Sequence, residues 1–412
     1  MLINDTRLLK NLADLARIGA LPGGGVSRLA FSAEDREGRD YVAAQLSNLG
    51  LESHYDAIGN LWAIRPGSGA DQSVVMLGSH TDSVGAAGKY DGALGVLAAL
   101  EVLTVLVEND VQTAHPVGLA SFVNEEGVRF MPDMLGSMFV RGDLDAEQVR
   151  GIIGTDGSTI GVNLDQTGMA GLADMRALAL NAFLEVHIEQ GPILDQREWP
   201  VGTVTAVQGL KWLEVTLTGT ANHAGTTPMN QRRDAGFVAG QIIGLVRETA
   251  SEVPDLMGTV GRLVLKPNLI NVIAQEATMT IDLRHPVQAH LEAAVARVEA
   301  AVRDLAGREG LHVDIVQTAS APAVDFDPRV VQAVRNAQSV LGLPPLEMTS
   351  GAGHDAQIIA SCCPSGMIFV RSIGGVSHNP AELSRDEDMV AGANVLLLAT
   401  LDLAGRVRDE RS

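Results

Sequence analysis

The sequence predicts an α/β protein in which a catalytic domain with a mostly parallel β-sheet carries an inserted α+β domain. Three features lead to this prediction. The 412 residues are too many for one ordinary hydrophobic core. In the first half of the chain, short apolar runs alternate with longer helical segments, which is the pattern of βαβ units. From Gly209 onward the pattern changes to alternating strands and two helices, so we predict one domain at 1–208 and 321–412 and the inserted domain at 209–320.

The spacing of apolar residues predicts the elements of the first segment. The N-terminus mixes charged and apolar residues as an amphipathic helix does, and the apolar stretch from Gly92 to Asp110 has the length of a helix. A loop is expected to start at Gly78, at the end of the second predicted strand. The strands of this segment are predicted at NLWAIRPG, SVVMLGSH, PVGLASFVNEEG and FLEVHIEQGP.

The inserted segment has a different pattern of predicted strands and helices. LKWLEVTLTGT, TVGRLVLKP and ATMTIDLRHP alternate apolar and polar residues, which predicts half-exposed antiparallel strands. RRDAGFVAGQIIGLVRETASEV and LEAAVARVEAAVRDLAGREG predict two helices that cover this sheet. The chain then returns to the first domain, where SGMIFVRS predicts a buried strand.

Charge and cysteine content narrow the class of protein. A formal net charge of −20 disfavours nucleic acid and anionic membrane surfaces as partners, because both would be repelled. An anionic substrate would therefore need a local cationic anchor. Cys362 and Cys363 are adjacent and are not expected to form a structural disulfide. The N-terminus does not resemble a signal peptide or a membrane span, so we expect a cytoplasmic protein.

Imidazole and carboxylate side chains follow the predicted strands in turns that contain glycine. Neutral imidazole and carboxylate are the ligands that Zn²⁺, Mn²⁺ or Co²⁺ bind in proteins. Five such ligands suit two ions that share one carboxylate, and two ions can lower the pKa of a shared water and polarise a carbonyl. In a Glu-Glu pair, one carboxylate can bind metal while its neighbour acts as the base. The candidates are His80, Asp91, Glu125, Glu126, His187 and His378.

Each of these residues alone has an ordinary structural interpretation, as a hydrogen-bonded histidine or a solvated carboxylate. Together the motifs GSHTDSV, YDG, NEEG, HIEQGP and SHNPAE resemble the M20-type metallopeptidase superfamily. Within it they are most similar to the branch of N-carbamoyl-L-amino-acid hydrolase, β-ureidopropionase and allantoate amidohydrolase. HIEQGP has a histidine where aminopeptidase-like members have an acidic ligand, and NHAGTTPM is a lid-domain signature of the same branch.

The resemblance implies a role for each residue of the predicted centre. Asp91 would bridge two divalent ions, which could be Mn²⁺, Zn²⁺, Co²⁺ or Ni²⁺. His80 and His187 would complete one site, and Glu126 and His378 the other. Glu125 would be the general base. Asp82 would orient the His80 ring with its carboxylate, although a plain turn aspartate is the alternative interpretation.

The resemblance also implies residues that bind a small carboxylate-bearing substrate. Arg284 would clamp the carboxylate, because its planar fork binds both oxygens. His223 would polarise the carbonyl, and Gln190, Asn271 and His354 would contact the substrate.

Other assignments near the pocket stay open at this point. Asp355, next to His354, has an equally good alternative interpretation as a helix cap. The inserted domain would act as a lid and join two chains in a homodimer. The loops 129–137 and 372–378 would line the pocket, but their sequence does not predict its shape.

The predicted activity is hydrolysis of the C–N bond of an N-carbamoyl amino acid, or of a related ureido acid such as β-ureidopropionate or allantoate. An exopeptidase, or a deacylase of N-acyl amino acids or aryl amides, would use the same architecture. A metal-stabilised binding protein without turnover is a third alternative, because a fold does not guarantee activity. Retention of Glu125 argues against this alternative. His187 argues for the carbamoyl-amino-acid branch over the peptidases.

Overall fold

The computed structural model describes residues 1–407. The helices are α1 (Asp5–Leu15), α2 (Ala33–Asn48), α3 (Ala93–Glu108), α4 (Leu135–Arg141), α5 (Ala146–Gly151), α6 (Ile160–Thr167), α7 (Ile193–Gln196), α8 (Ala235–Glu252), α9 (Gln288–Glu309), α10 (Pro328–Val340), α11 (Asp355–Ile359) and α12 (Asp386–Leu403). The strands are β1 (Ser53–Tyr55), β2 (Leu61–Arg65), β3 (Val74–His80), β4 (Val117–Phe122), β5 (Leu180–Ile188), β6 (Val201–Val207), β7 (Gly209–Thr218), β8 (Met257–Lys266), β9 (Glu276–His285), β10 (His312–Ala321), β11 (Val324–Asp325), β12 (Glu347–Ser350) and β13 (Ser365–Val370).

The main sheet has nine strands in the described residues and contains both parallel and antiparallel pairs. Its order is β1-β2-β4-β3-β5-β13-β6-β11, and β12 also pairs with β6. The four central strands β4, β3, β5 and β13 are parallel, which confirms the predicted parallel sheet at its centre. Antiparallel strands, β2 on one side and β6 on the other, extend it toward both edges.

The strands and helices predicted from periodicity are confirmed, with one correction at Gly78. The predicted loop does not start there, because β3 continues to His80, which pairs with Phe122. A side chain at Gly78 would overlap the main-chain oxygen of Ala120 in β4. This glycine therefore allows a close approach of two strands and does not begin a turn.

The helix α3 lies at the centre of the main hydrophobic core. All its residues from Ala93 to Leu106 are buried, which is why the segment is apolar on every side. It packs on β3, β4 and β5, and α1 and α12 pack against it. With 16 residues α3 is short for a membrane helix, and within residues 1–407 no helix is both long and apolar enough to cross a bilayer.

The chain divides into two compact units. The first comprises Met1–Thr205 and the chain from Phe326 onward, and the second is Ala206–Asp325. The second unit has a separate antiparallel sheet in the order β10-β7-β9-β8, with α8 and α9 packed on it. Along β9 buried and half-buried residues alternate strictly, so one face of this sheet is covered and the other is accessible.

Candidate metal centre

The candidate centre lies at the carboxyl ends of the central parallel strands. His80 is the last residue of β3, and His187 is the last but one of β5. Glu125 and Glu126 follow β4, which pairs with β3. Parallel neighbours end at the same edge of a sheet, so side chains that are distant in the sequence come together there. Asp91 reaches this edge from the loop that leads into α3.

One group of possible ligands consists of His80, Asp91 and His187, and all three are buried. Their candidate ligand atoms all lie within 4.8 Å of one another. Oδ1 of Asp91 is 3.1 Å from Nε2 of His187 and 3.7 Å from Nε2 of His80. Two imidazoles therefore converge on a single carboxylate oxygen.

A second group consists of Asp91, Glu126 and His378, again with ligand atoms within 4.8 Å. Nε2 of His378 lies 3.4 Å from Oε2 of Glu126 and 3.5 Å from Oδ2 of Asp91. Asp91 thus presents a different oxygen to each group. A carboxylate that is shared in this way is the arrangement that two neighbouring cations require.

The environment of His80 fits a metal ion. Its Nε2 atom is buried and has no hydrogen-bond partner in the described residues, an expensive state for a polar atom. A Cβ at Gly92 would overlap the His80 ring, so the glycine leaves room for the imidazole. The donor set of two imidazoles and a carboxylate suits Zn²⁺, Mn²⁺ or a similar ion. The residues present therefore fit the predicted cations.

Main-chain carbonyl groups fix the orientation of both buried histidines. Nδ1 of His80 donates to the carbonyl oxygen of Asp82 (3.0 Å), and Nδ1 of His187 donates to that of Ile188 (2.9 Å). A carbonyl can only accept, so the proton of each neutral ring is on Nδ1, and Nε2 keeps its lone pair for a ligand.

The contact predicted for Asp82 is corrected by this geometry. Its carboxylate is 3.9 Å from the His80 ring, and the main-chain carbonyl, not the side chain, orients that ring. The carboxylate instead accepts the main-chain N–H groups of Glu125 (3.4 Å) and Glu126 (3.3 Å). Asp82 therefore holds the turn that carries the Glu-Glu pair.

Burial and mutual repulsion perturb the acids of the centre. The pKa of Glu125 is well above its usual range because the group is buried and close to Glu126, and burial likewise raises the pKa of Glu126. Burial lowers the pKa of His80 to about 4. Burial opposes protonation of His187, but the contact with Asp91 raises its pKa to about 9. Such crowded negative charge is stabilised by cations.

Gln190 and His378 approach the same carboxylate from neighbouring loops. Nε2 of Gln190 donates to Oδ2 of Asp91 (2.9 Å) and lies 3.4 Å from Nε2 of His378. Both residues have a positive φ, 56° and 52°, and so does Asn124 beside the Glu-Glu pair, at 53°. Left-handed backbone at residues other than glycine is unfavourable, and it concentrates at functional sites.

His354 lies beside His187, with ring centroids 4.5 Å apart, and its Nε2 atom is 2.8 Å from Oγ of Ser350. The neighbouring Asp355 is the first residue of α11. The alternative interpretation of Asp355 as a helix cap does not match the structure, in which His354 is at the N-cap position of α11. The N–H of Ala356, in the first turn of the helix, donates to the carboxylate of Glu185 (2.8 Å). His354 is therefore next to the first group of ligands, and Glu185 supports α11 from β5.

Three predicted substrate residues belong to the second unit. His223 and Asn271 are neighbours there, because the N–H of Ala224 donates to the carbonyl of Asn271 (3.0 Å). Both side chains are exposed. Arg284 is at the end of β9, half-buried, and its Nη2 atom is 3.0 Å from Oδ2 of Asp282. Their predicted contacts with a substrate stay predictions.

Two supporting residues were not predicted from the sequence. Glu382 is buried and accepts the N–H of Asp91 (3.3 Å). The segment SHNPAE contains it, but only the histidine of this segment was singled out. Arg39 is fully buried on α2. Its Nη2 atom donates a hydrogen bond to the carbonyl oxygen of Phe122 at the end of β4 (2.6 Å) and lies 4.0 Å from Oδ1 of Asp82. Nothing in the sequence around Arg39 indicates this role.

Comparison with known proteins places the chain in a family. Residues 50–402 match Peptidase family M20/M25/M40. The chain is 38% identical to an N-carbamoyl-L-amino-acid amidohydrolase of Rhizobium meliloti, over 98% of this chain and 97% of that protein. It is 34% identical to the allantoate amidohydrolase of Escherichia coli, over 95% and 96% of the two chains.

A solved structure is similar to this chain over almost its full length. The amidase of the hydantoinase/carbamoylase family from Burkholderia multivorans is 40% identical and covers 98% of both chains with a TM-score of 0.93. A coverage of 98% includes most of both units of the chain. This chain therefore belongs to Peptidase family M20/M25/M40, a metal-dependent family, and it is a hydrolase that acts on C–N bonds.

Proposed function

We propose that this protein hydrolyses the C–N bond of an N-carbamoyl amino acid or a closely related ureido acid. The observation that carries the proposal is the pair of ligand groups that share Asp91, with Glu125 beside them. Glu125 belongs to neither group, but its Oε2 atom lies 3.5 Å from Nε2 of His80. A carboxylate in that position is available as a base.

The proposed centre would hold two divalent cations, one between His80, Asp91 and His187 and the other between Asp91, Glu126 and His378. Such ions supply Lewis acidity toward the carbonyl and lower the pKa of water. Mn²⁺, Zn²⁺, Co²⁺ and Ni²⁺ all accept these ligands, so the resident ion depends on geometry and cellular supply.

Glu125 would transfer the proton in this reaction. Its carboxylate takes a proton from the attacking water, whose oxygen adds to the carbonyl carbon, and returns it to the nitrogen as the C–N bond breaks. The raised pKa of Glu125 suits this role, because it makes the carboxylate a stronger base toward water than an ordinary glutamate. Asp82 keeps the base in place through the main-chain N–H of Glu125.

The proposed substrate is a small molecule with a carboxylate. Arg284 is the proposed clamp for that carboxylate and supplies the cationic anchor that a chain of net charge −20 needs. His223 would stabilise the developing oxyanion, and Gln190, Asn271 and His354 would contact the rest of the substrate. The names of the similar proteins, which include a carbamoyl-amino-acid and an allantoate hydrolase, support this substrate class.

The second candidate function is that of an exopeptidase or deacylase, which the peptidase family itself favours. The two functions share the ligands and the base, and they differ in the leaving group and the pocket. His187 in the first ligand group favours the ureido-acid activity, because the resemblance implies that aminopeptidase-like members usually have an acidic ligand at this position. A binding protein without turnover would have no use for Glu125.

A substrate panel on metal-reconstituted protein tests the proposal. The panel contains N-carbamoyl amino acids, β-ureidopropionate and allantoate, with dipeptides, acetyl-amino acids and aryl amides as the contrast. We expect ammonia release from a ureido acid, with kcat/KM above about 10⁴ M⁻¹s⁻¹ for the best substrate. Amine release from a dipeptide or acyl-amino acid, without ammonia from any ureido acid, would favour the second function.

We further propose that the second unit, Ala206–Asp325, joins two chains in a homodimer. Edge strand β8 exposes Leu263 and Val264, and the neighbouring helix α8 exposes Phe237. On the same side of α8, Gly240 and Gly244 have open space around them. An apolar strand edge next to small residues is a surface that association would bury.

A further inference from the structure

A buried glutamate joins two loops of the candidate centre. Glu382 is 5% exposed, and its Oε1 atom accepts the main-chain N–H groups of Tyr90 (3.1 Å) and Asp91 (3.3 Å). Its Oε2 atom accepts the hydroxyl of Ser377 (3.2 Å). One carboxylate therefore fixes both the loop that carries Asp91 and the loop that carries His378.

Ser377 completes this connection. Its Oγ atom lies 3.1 Å from Oδ2 of Asp91, the oxygen that faces the second ligand group. The hydroxyl has a single proton, which it shares between the carboxylates of Asp91 and Glu382. The main chain and the side chain of Asp91 are thus both held by the pair of Ser377 and Glu382.

The glycine at position 88 shows how closely the loops fit around this carboxylate. A Cβ at Gly88 would overlap the Glu382 carboxylate. Any residue other than glycine at position 88 would therefore displace that carboxylate. By contrast, Gly85 in the same loop has open space around it. The local sequence around Asp91 is therefore adapted to a carboxylate that comes from the other end of the chain.

We propose that Glu382 is a positioning residue that fixes Asp91 relative to His378 and thereby sets the affinity of the second cation site. The first site depends less on it, because the parallel pairing of β3 and β5 already holds His80 and His187. The second site takes its ligands from three separate loops. The inference rests on the proposed function only in requiring that the two groups hold metal ions.

Titration of metal-free protein with Mn²⁺ tests this role without any substrate. Calorimetry measures both binding constants, and electron paramagnetic resonance detects coupled Mn²⁺ pairs. We expect Glu382→Ala to weaken the second Mn²⁺ by about 10- to 100-fold, with a much smaller effect on the first. Glu382→Gln should restore most of the affinity, because its amide can accept from Asp91 and donate to Ser377. Glu387→Ala, an exposed change on α12, is the matched control and should have no effect.

A double-mutant cycle separates positioning from general damage. Ser377→Ala should weaken the same second site, and combining it with Glu382→Ala should add little, because the two residues act through one connection. Equal loss of both binding constants, or an unaffected second site in both single variants, would overturn the role. If Glu382→Ala fails to fold, Ser377→Ala is the variant that should weaken the second site, and Glu382→Gln is the variant that should keep both binding constants.

The result is distinguishable from a failure of the proposed function. Wild-type protein that binds fewer than two Mn²⁺ ions would overturn the dinuclear centre and, with it, the role of Glu382. Wild-type protein that binds two ions but hydrolyses no ureido acid would contradict the proposed function only. The metal titration of the variants would then still decide the role of Glu382.

Discussion

Glu125 is beside both ligand groups and belongs to neither, which separates its proposed role from metal binding. We expect Glu125→Gln to keep its metal content and to lower kcat by about 10²- to 10⁴-fold, because an amide cannot take up the proton. Metal analysis and initial rates measure the two effects. Glu37→Gln, on the exposed side of α2, is the control. Undiminished turnover in Glu125→Gln would show that another group is the base.

Arg284 is expected to affect substrate binding more than the chemical step. Replacing Arg284 with alanine should raise KM by about 10- to 100-fold for a carboxylate substrate, the range for hydrogen bonds to a charged group. Arg284→Lys should recover only part of this loss, because lysine lacks the planar fork. Arg262→Ala, a change of the same kind on β8, should leave KM unaltered. Equal KM values for Arg284→Ala and wild type would remove the clamp from the mechanism.

The titration of His187 makes metal binding dependent on pH. Contact with Asp91 raises its pKa to about 9 in the metal-free protein, so the ring is protonated at neutral pH. A metal ligand must be neutral, so binding should release this proton, and the affinity for Mn²⁺ should increase with pH up to about 9. The raised pKa of Glu126 acts in the same direction. Calorimetry in buffers of different ionisation enthalpy measures the released protons, and an affinity independent of pH would contradict this assignment.

At the scale of elements, Gly92 is the residue that joins the Asp91 loop to α3. It has a φ of 63°, and a side chain there would overlap His80. Gly92→Ala should therefore destabilise the protein by about 1–3 kcal/mol and reduce metal binding. Urea unfolding and metal analysis check both effects. Gly85→Ala, which has open space in the same loop, should behave like the wild type, and equal behaviour of the two variants would show that the close contact is unimportant.

The elements themselves were largely predictable from the sequence, because burial on a sheet face leaves a local pattern. The apolar stretch of α3 and the strict alternation along β9 are examples. The end of β3 was not predictable, because Gly78 reads as a turn residue unless the neighbouring strand is known. Antiparallel strands at the edges of the main sheet were missed for the same reason, since pairing direction depends on distant segments.

At the scale of the whole molecule, the proposed homodimer depends on β8. Val264→Glu would bury a charge in the proposed interface and should convert the dimer to a monomer, which sedimentation velocity measures at several protein concentrations. Val316→Glu makes the same change on β10, at the opposite edge of the small sheet, and should leave the dimer intact. A wild-type chain that sediments as a monomer at every concentration would overturn the proposal.

The sequence by itself determined which residues are candidates, because imidazole and carboxylate groups after buried strands are visible in the linear chain. His80, Asp91, Glu126, His187 and His378 were all identified in this way. Only the tertiary structure decided which oxygen of Asp91 faces which group.

The structure also decided that the carboxylate of Asp82 holds the Glu-Glu turn instead of the His80 ring, and that Arg39 and Glu382 support the centre. The physical reason is the range of the interactions. Burial of a strand or helix depends on neighbouring residues and leaves a periodic pattern, whereas a hydrogen bond between Asp91 and Glu382 joins positions 291 residues apart.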